Sequence, residues 1–275
     1  MANTAETVGD KALARWLCEH ASGLDAEEFS AAIDELVNAR SGIHLEAMIR
    51  RVLDGEPVQY VMGRWAFRYL DLMVDQRVLI PRPETELLVE IVLHHVGDSK
   101  GPFTMADLGT GSGAIGLSLL HELPLNSATV WMTDASTDAI DVARANAAGI
   151  GRPAVGARFE VGSWWDALPS EIAGLFDVVV SNPPYIAHED AEVEQSVNKW
   201  EPHSALFAGA DGLDDIRVIT SGAAQWLRSG GLLVTEMGYT QASAVLDLFT
   251  SAGLKNVTVH KDLAGHDRFV SGVKT

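Results

Sequence analysis

The chain has 275 residues, 47% hydrophobic and 21% charged, enough for a folded catalytic unit with a smaller domain appended. No run of 18 apolar residues occurs, and Met1 to Asp10 has neither a basic nor an apolar signal region, so neither a membrane span nor export is expected and the cytoplasm is the expected compartment. A net charge of −18 argues against broad binding to phosphate backbones, and a lone Cys18 leaves no internal disulfide and no thiolate metal cluster.

Residues 1 to 60 read as helical. Ala12, Leu13, Trp16 and Leu17 recur at helical spacing, as do Phe29, Ile33, Leu36 and Val37, with a polar break at Gly23-Leu24-Asp25 between them. A third helical stretch, His44 to Leu53, stops at Asp54-Gly55 with Pro57 following. Such a bundle serves either as structural cover or as a recognition surface for a macromolecule.

The period changes from Trp65 to Ile80. Phe67, Tyr69, Leu70, Leu72 and Val74, then Val78-Leu79-Ile80, predict short strands and a hairpin with its turn at Asp75-Gln76. Pro81-Arg82-Pro83-Glu84-Thr85-Glu86 follows and opens a helix from Leu87 to Val96; Pro83 with acidic residues behind it suits a helix first turn. Arg82, taken alone, is a solvated linker charge.

From Phe103 the chain alternates strand and helix. Strands are predicted at Phe103–Leu108, Thr129–Asp134, Arg158–Val161, Phe176–Ser181, Gly231–Met237, Lys255–His260 and Arg268–Ser271. Helices fill the gaps at Gly113–His121, Thr137–Ala148, Leu213–Leu227 and Gln241–Ser251. The pattern is a doubly wound α/β sheet whose last two strands, with no helix between them, form an antiparallel pair.

The first strand runs into Asp107-Leu108-Gly109-Thr110-Gly111-Ser112-Gly113, where closely spaced glycines allow a sharp turn and a helix N-terminus offers free N–H groups. Asp134 ends the next strand, where a carboxylate can accept from both hydroxyls of a ribose. Loop and acid together imply an adenosine-type nucleoside cofactor, and two remain in play. Gly111-Ser112-Gly113-Ala114-Ile115-Gly116 fits the dinucleotide fingerprint. S-adenosylmethionine has no pyrophosphate; an acid ahead of the glycines, here Asp107, then helps to receive its ammonium, and D-x-G-x-G-x-G suits this arrangement better. Ser163 and Trp164 follow the third strand, where residues flank adenine; Trp164 either stacks on the base or plugs the sheet edge.

Val178-Val179-Val180 reads as a central strand buried on both faces, and it stops at Ser181-Asn182-Pro183-Pro184-Tyr185. Two prolines cannot continue a ladder, so the chain must turn out where ligands bind in open α/β sheets. Asn182 there presents a carboxamide beside unpaired carbonyls and a phenol ring.

Asn182-Pro183-Pro184-Tyr185 resembles the motif of methyltransferases acting on planar amide or amine nitrogens, both adenine-N6 and protein glutamine-N5 enzymes. Three further segments are similar to the peptide chain release factor glutamine methyltransferase family: Gly55-Glu56-Pro57-Val58-Gln59-Tyr60 with Gly63, Leu79 to Glu86, and Trp200-Glu201-Pro202 with Ala205-Leu206 and Gly209. The likeness runs from Gly55 to the C-terminus. Two positions depart from it: Ser163 stands where the family often has an acid, and Trp200 where Tyr or Phe is common.

The resemblance implies a class I S-adenosylmethionine-dependent methyltransferase, Rossmann-like, with a seven-stranded sheet and a terminal antiparallel strand, preceded by a small helical domain. It implies a helical substrate-recognition domain over 1–60, a β-hairpin and linker over 61–86 and the methyltransferase domain over 87–275. The expected reaction is methylation of the glutamine N5 in the Gly-Gly-Gln motif of release factors, which tunes translation termination, by a monomer that binds neither nucleic acid nor membrane. Cofactor contacts fall to Asp107, Gly109, Thr110, Gly111, Ser112, Gly113, Asp134, Ser163, Trp164 and Asn182. Substrate contacts fall to Asn182, Pro183, Pro184, Tyr185 and Arg82, with Asn182, Pro183 and Tyr185 acting in catalysis.

An amide nitrogen is a poor nucleophile because its lone pair is delocalised. The Asn182 oxygen and the Pro183 carbonyl can receive its two N–H groups and aim it, with Tyr185 packed on the flat amide. His94-His95 and His260 with His266 lie on different elements and read as surface or packing residues, so no metal is expected. Three other readings compete: an N6-adenine nucleic-acid methyltransferase, disfavoured by charge; a nicotinamide oxidoreductase, resting on the glycines alone; and a non-enzymatic binding module.

Overall fold

The computed structural model describes residues 1–33, 37–189 and 195–275. The N-terminal part is five helices: α1 (Ala2–Val8), α2 (Lys11–Ser22), α3 (Ala26–Ala31), α4 (Ala39–Leu53) and α5 (Val58–Met62). Side-chain caps fix the starts of α2, α3 and α4. Asp10 accepts from the N–H groups of Ala12 and Leu13, Asp25 and Glu28 form a reciprocal capping box, and Asn38 accepts from Ser41. Leu17, Met48 and Val61 are the buried centre of this bundle. Cys18 is buried and donates to the Thr4 hydroxyl, as a small core residue. Trp16, Ile33 and Val37, expected on an apolar face, are exposed instead; Trp16 meets the ring of Trp65 edge-on, 5.8 Å between centroids. Leu36, the remaining member of that pattern, lies outside the described residues.

A two-stranded antiparallel hairpin follows, β1 (Arg64–Phe67) and β2 (Leu70–Met73). Its turn is at Arg68-Tyr69, not at Asp75-Gln76 as the pattern suggested. Arg68 adopts φ 50 there, its N–H donates to Glu86, and its guanidinium reaches both oxygens of Glu122. A tertiary ion pair thus selects the turn, and turn propensity alone did not reveal it. Val78 to Ile80 likewise joins no strand: Val78 lies at a bend, and its N–H donates to the Asp75 carbonyl at 3.1 Å. Side chains take others of its backbone groups: Tyr60 Oη donates to the Val78 carbonyl at 2.6 Å, and Glu201 Oε2 accepts from the Ile80 N–H at 3.1 Å.

The rest is α6 (Glu86–Val96), β3 (Phe103–Leu108), α7 (Ala114–Glu122), β4 (Ala128–Asp134), α8 (Thr137–Ile150), β5 (Ala157–Val161), β6 (Phe176–Ser181), α9 (Gln195–Trp200), α10 (Asp214–Trp226), β7 (Leu227–Glu236), α11 (Ala242–Ser251), β8 (Lys255–Lys261) and β9 (Asp267–Val273). The seven strands lie in the order β5-β4-β3-β6-β7-β9-β8. β3 to β7 are parallel; β9, last in the chain, slots between β7 and β8 and is antiparallel to both. Because side chains alternate across a sheet, Val178 and Val180 enter one buried layer with Leu88, Val92 and Leu117, while Val179 enters the other with Ile216, Val245 and Phe249. All three valines are fully buried, which accounts for their unbroken apolar run. The strand order reverses at β3 and β6, so their carboxyl ends open the crevice where an α/β sheet takes its ligand.

Candidate active site

Two adjoining cavities of about 280 and 220 Å³ open at that crevice, and Leu79, Asn182 and Ala205 line both. The larger is bounded by Gly109, Gly111, Asp134, Ser163 and Trp164. The smaller is bounded by Arg82, Pro183, Tyr185 and Ile186. Asn182 thus stands between residues expected around a nucleoside and residues expected around an amide, with one exception: Pro184, expected at the amide, lines the larger cavity and not the smaller one.

In the larger cavity Asp134 is the charged group. Its two oxygens accept from the N–H groups of Gly111 at 3.0 Å and Ser136 at 2.9 Å, and each keeps a lone pair for a further donor. Burial raises its pKa, opposed by those two hydrogen bonds. Gly111 has φ 55, and a Cβ there would meet only open space on the cavity side, a cradle that lets a ligand approach the backbone. Trp164 holds the left-handed conformation, φ 45, which a bulky side chain takes only where its surroundings enforce it. Its ring lies over Gly109, and its indole N–H donates to Asp215 at 3.1 Å, so Trp164 forms a wall of the cavity.

Four of the loop residues expected to touch a cofactor do not line the cavity. Thr110 and Ser112 are buried, and Gly113 packs so tightly that a Cβ would stand 2.8 Å from Leu117. Asp107 is fully buried behind the loop, accepting on Oδ2 from the Thr110 hydroxyl and the Gly116 N–H. These residues hold the glycine turn in shape. Burial drives the Asp107 carboxyl up to about 6, and its Oδ1 has no partner among the described residues. A buried orphan acceptor beside a glycine cradle and a ribose-competent carboxylate is a set of acceptors that fits an aminoacyl nucleoside with its ammonium at the strand end.

The Asn182 turn is fixed from behind. Asn182 Nδ2 donates to Thr85 Oγ1 at 3.2 Å; among the described residues nothing donates to its Oδ1 or to the Pro183 carbonyl. Tyr185 is held at both ends: its hydroxyl donates to Glu236 Oε1 at 3.0 Å, and its carbonyl accepts from Gln241 Nε2 at 3.0 Å. Gly212 lies against that carbonyl so closely that a Cβ would stand 2.2 Å from it. Arg82 is not a free linker charge. It pairs with the buried Glu201 at 2.6 Å, and Glu201 also binds the Ile80 N–H, which secures the segment 78–80 over both cavities.

Glu236 and Asp215 went unnoticed in the sequence, and Thr85 and Glu201 entered only as members of resembling segments, without a role of their own. Glu236 carries the same mark as Asp134, an acid closing the mostly buried final stretch of a strand at the ligand end of the sheet. Glu201 gave no such sign, since it precedes a proline in a loop. Among the described residues no group of three or more metal-ligating side chains gathers. His260 bonds to the Ser271 hydroxyl at 2.8 Å.

Family models match two parts of the chain, the Methyltransferase small domain over residues 83–200 and the PrmC N-terminal domain over residues 4–63. The release factor glutamine methyltransferase of Xylella fastidiosa (strain 9a5c) is 44% identical over 82% of this chain and 80% of its own length. That of Burkholderia pseudomallei (strain K96243) is 40% identical over 94% of this chain and 90% of its own. Among solved structures, a methyltransferase from Pyrococcus furiosus shares the fold, with a TM-score of 0.52 at 16% identity, covering 82% of this chain and 96% of that one.

Proposed function

The chain belongs to the release factor glutamine methyltransferase family, and from that premise we propose that it methylates the side-chain nitrogen of the glutamine in the Gly-Gly-Gln motif of a peptide chain release factor. The observation that carries the reading is the position of Asn182 between two cavities, with its Oδ1 and the Pro183 carbonyl both open to an incoming donor.

S-adenosylmethionine, the methyl donor of this reading, supplies a methyl carbon made electrophilic by its sulfonium. Asp134 would accept from its ribose hydroxyls, Gly111 and Gly109 would let it approach the loop, Trp164 and Ser163 would bound its base, and Asp107 Oδ1, set behind the loop, would receive its ammonium through a bridging water. Asn182 Oδ1 and the Pro183 carbonyl would each accept one N–H of the glutamine amide. Both protons held in this way, the nitrogen lone pair is left perpendicular to the amide plane and directed at the larger cavity. The proline ring restrains the carbonyl without further ordering cost. Tyr185, pinned at hydroxyl and carbonyl, would cover the face of the amide. Forming the N–C bond would break the S–CH₃ bond, with the bonding pair going to sulfur as a neutral thioether, and one of the two held protons would then pass to solvent water, so no strong base is required beforehand. Alignment and preplaced dipoles of this kind lower a barrier by roughly several kcal/mol. Arg82, committed to Glu201, would act on the substrate through its remaining N–H groups.

Helices α1 to α5, residues 1–60 in the main, would form the substrate-recognition domain, joined by residues 61–86 to the methyltransferase domain of 87–275. The protein would act as a cytoplasmic monomer and bind no nucleic acid, in line with its net charge of −18. Incubation with labelled S-adenosylmethionine and a purified release factor, followed by tandem mass spectrometry, tests the reading. One methyl group on the glutamine of Gly-Gly-Gln is expected. Label on adenine of added DNA, or on no residue of the release factor, would overturn it.

A further inference from the structure

Behind Asn182 lies a chain of hydrogen bonds whose direction is set at its far end. Glu236 is fully buried where β7 ends, and its two oxygens face two hydroxyls: Thr85 Oγ1 at 2.7 Å and Tyr185 Oη at 3.0 Å. An ionised carboxylate only accepts. Both hydroxyl protons must therefore point at Glu236. Thr85, having spent its one proton, can only accept, and what it accepts is the Asn182 Nδ2–H at 3.2 Å. A carboxamide with its nitrogen turned inward has its oxygen turned outward.

We propose that Glu236 is the positioning residue of this site: acting through Thr85 and Tyr185, it dictates that Asn182 presents its oxygen, and not its nitrogen, to the substrate amide. The proposal rests on the reading above, since only a donor such as a glutamine NH₂ needs that oxygen. If Glu236 is protonated, one of its oxygens becomes a donor, Thr85 Oγ1 is free to donate in turn, and the Asn182 amide can rotate so that its own NH₂ faces the substrate and repels it.

The groups around Glu236 decide where that change falls. Burial raises its pKa to about 7; the bonds from Thr85 and Tyr185 and the charge of Arg268 on β9 lower it, and Glu84 ahead of α6 raises it. Arg268 is shared with Asp262, 3.4 Å away, and Arg82 is engaged by Glu201, so neither cation neutralises Glu236 outright. A folded-state pKa above the ordinary carboxylate value means that the folded protein holds this proton more tightly than the unfolded chain. Glu236 therefore makes the fold less stable as pH rises from the ordinary carboxylate range to about 7, and a neutral side chain there removes that loss. The carboxylate is kept at a cost in stability, as expected of a group that serves the reaction.

Three variants test this. T85V keeps the shape of Thr85 and removes its oxygen: kcat for release factor methylation should fall about tenfold or more, with KM for the release factor and the calorimetric Kd for S-adenosylmethionine within about threefold of wild type, and T85S should recover most of the loss. The wild-type kcat should decline as pH falls through about 7. E236Q should be slow throughout without that acid limb, and its Tm at pH 8 should be no lower than that of wild type. A T85V enzyme within about twofold of wild type, an acid limb that persists in E236Q, or a clearly lower Tm for E236Q would each overturn the proposal. Should wild type fail to methylate the release factor, the functional reading falls first. The network is then judged by nitrogen NMR of the Asn182 side-chain amide, whose shift should titrate in wild type and not in E236Q; no titration in wild type would overturn the inference independently.

Discussion

Asp134 is the residue on which cofactor affinity should turn. Its carboxylate already holds the Gly111 and Ser136 N–H groups, and a pair of ribose hydroxyls would complete its acceptor set. Hydrogen bonds to a charged group contribute about 1.5–3 kcal/mol, so D134A should weaken S-adenosylmethionine binding by roughly 10- to 100-fold in calorimetry. An unchanged Kd would remove Asp134 from the site. At this scale the sequence was informative wherever a residue type carried its chemistry openly: Asp134 closing a strand, Asn182 ahead of two prolines. It was silent on a role for Thr85, a hydroxyl within an acidic helix start whose partners, Glu236 and Asn182, are far from it along the chain. It also led to contact roles for Thr110, Ser112 and Gly113, which the structure sets one layer behind the cavity because the same glycine spacing serves the turn itself.

Among the elements, the stretch from Val78 to Ile80, outside any strand, matters most, since Val78 and Leu79 roof the larger cavity. It is held by side chains from both halves of the chain, Tyr60 on α5 and Glu201 just after α9. Y60F removes the bond to the Val78 carbonyl and leaves a buried acceptor unpaired, at a cost of about 1–3 kcal/mol. A thermal melt should show Tm lowered by a few degrees, on the order of 2–4 °C per kcal/mol in a protein of this size. A melt identical to wild type would mean that Tyr60 does not anchor the roof. Most strands and helices of the sheet domain were legible from their apolar periods, and the observed ends of β3 and β6 match those expected; α9 was not anticipated, and β7 begins at Leu227, ahead of the expected Gly231. The hairpin turn was not legible. Asp75-Gln76 has turn chemistry and Arg68-Tyr69 has little, yet Arg68 is paid back by Glu122 and Glu86, contacts that no local pattern reveals.

For the molecule as a whole, the acidic surface makes a prediction of its own. With 38 acidic residues against 20 basic ones, like charges repel across the folded surface, and added salt screens that repulsion. Raising sodium chloride from low to moderate concentration should raise Tm, and a Tm that falls steadily with salt would show that attractive ion pairs dominate instead. The fold class followed from the alternation of strands and helices, and the strand order and the insertion of β9 between β7 and β8 came only with the structure, because pairing partners leave no trace in a single strand's pattern. The helical domain was legible as helices, but the apolar spacing from Phe29 to Val37 overran one: α3 ends at Ala31 and α4 begins at Ala39, so Ile33 and Val37 stand outside both and are exposed.

The central claim is that the Asn182 turn holds the acceptor amide and leaves the methyl donor to the neighbouring cavity. N182A examined in parallel by single-turnover methylation of the release factor and by calorimetry with S-adenosylmethionine tests it most directly. The account predicts a loss of methyl transfer of about 100-fold or more, with the cofactor Kd within about threefold of wild type. A variant that methylates within about twofold of wild type, or one whose lost activity is matched by an equal loss of cofactor affinity, would contradict it.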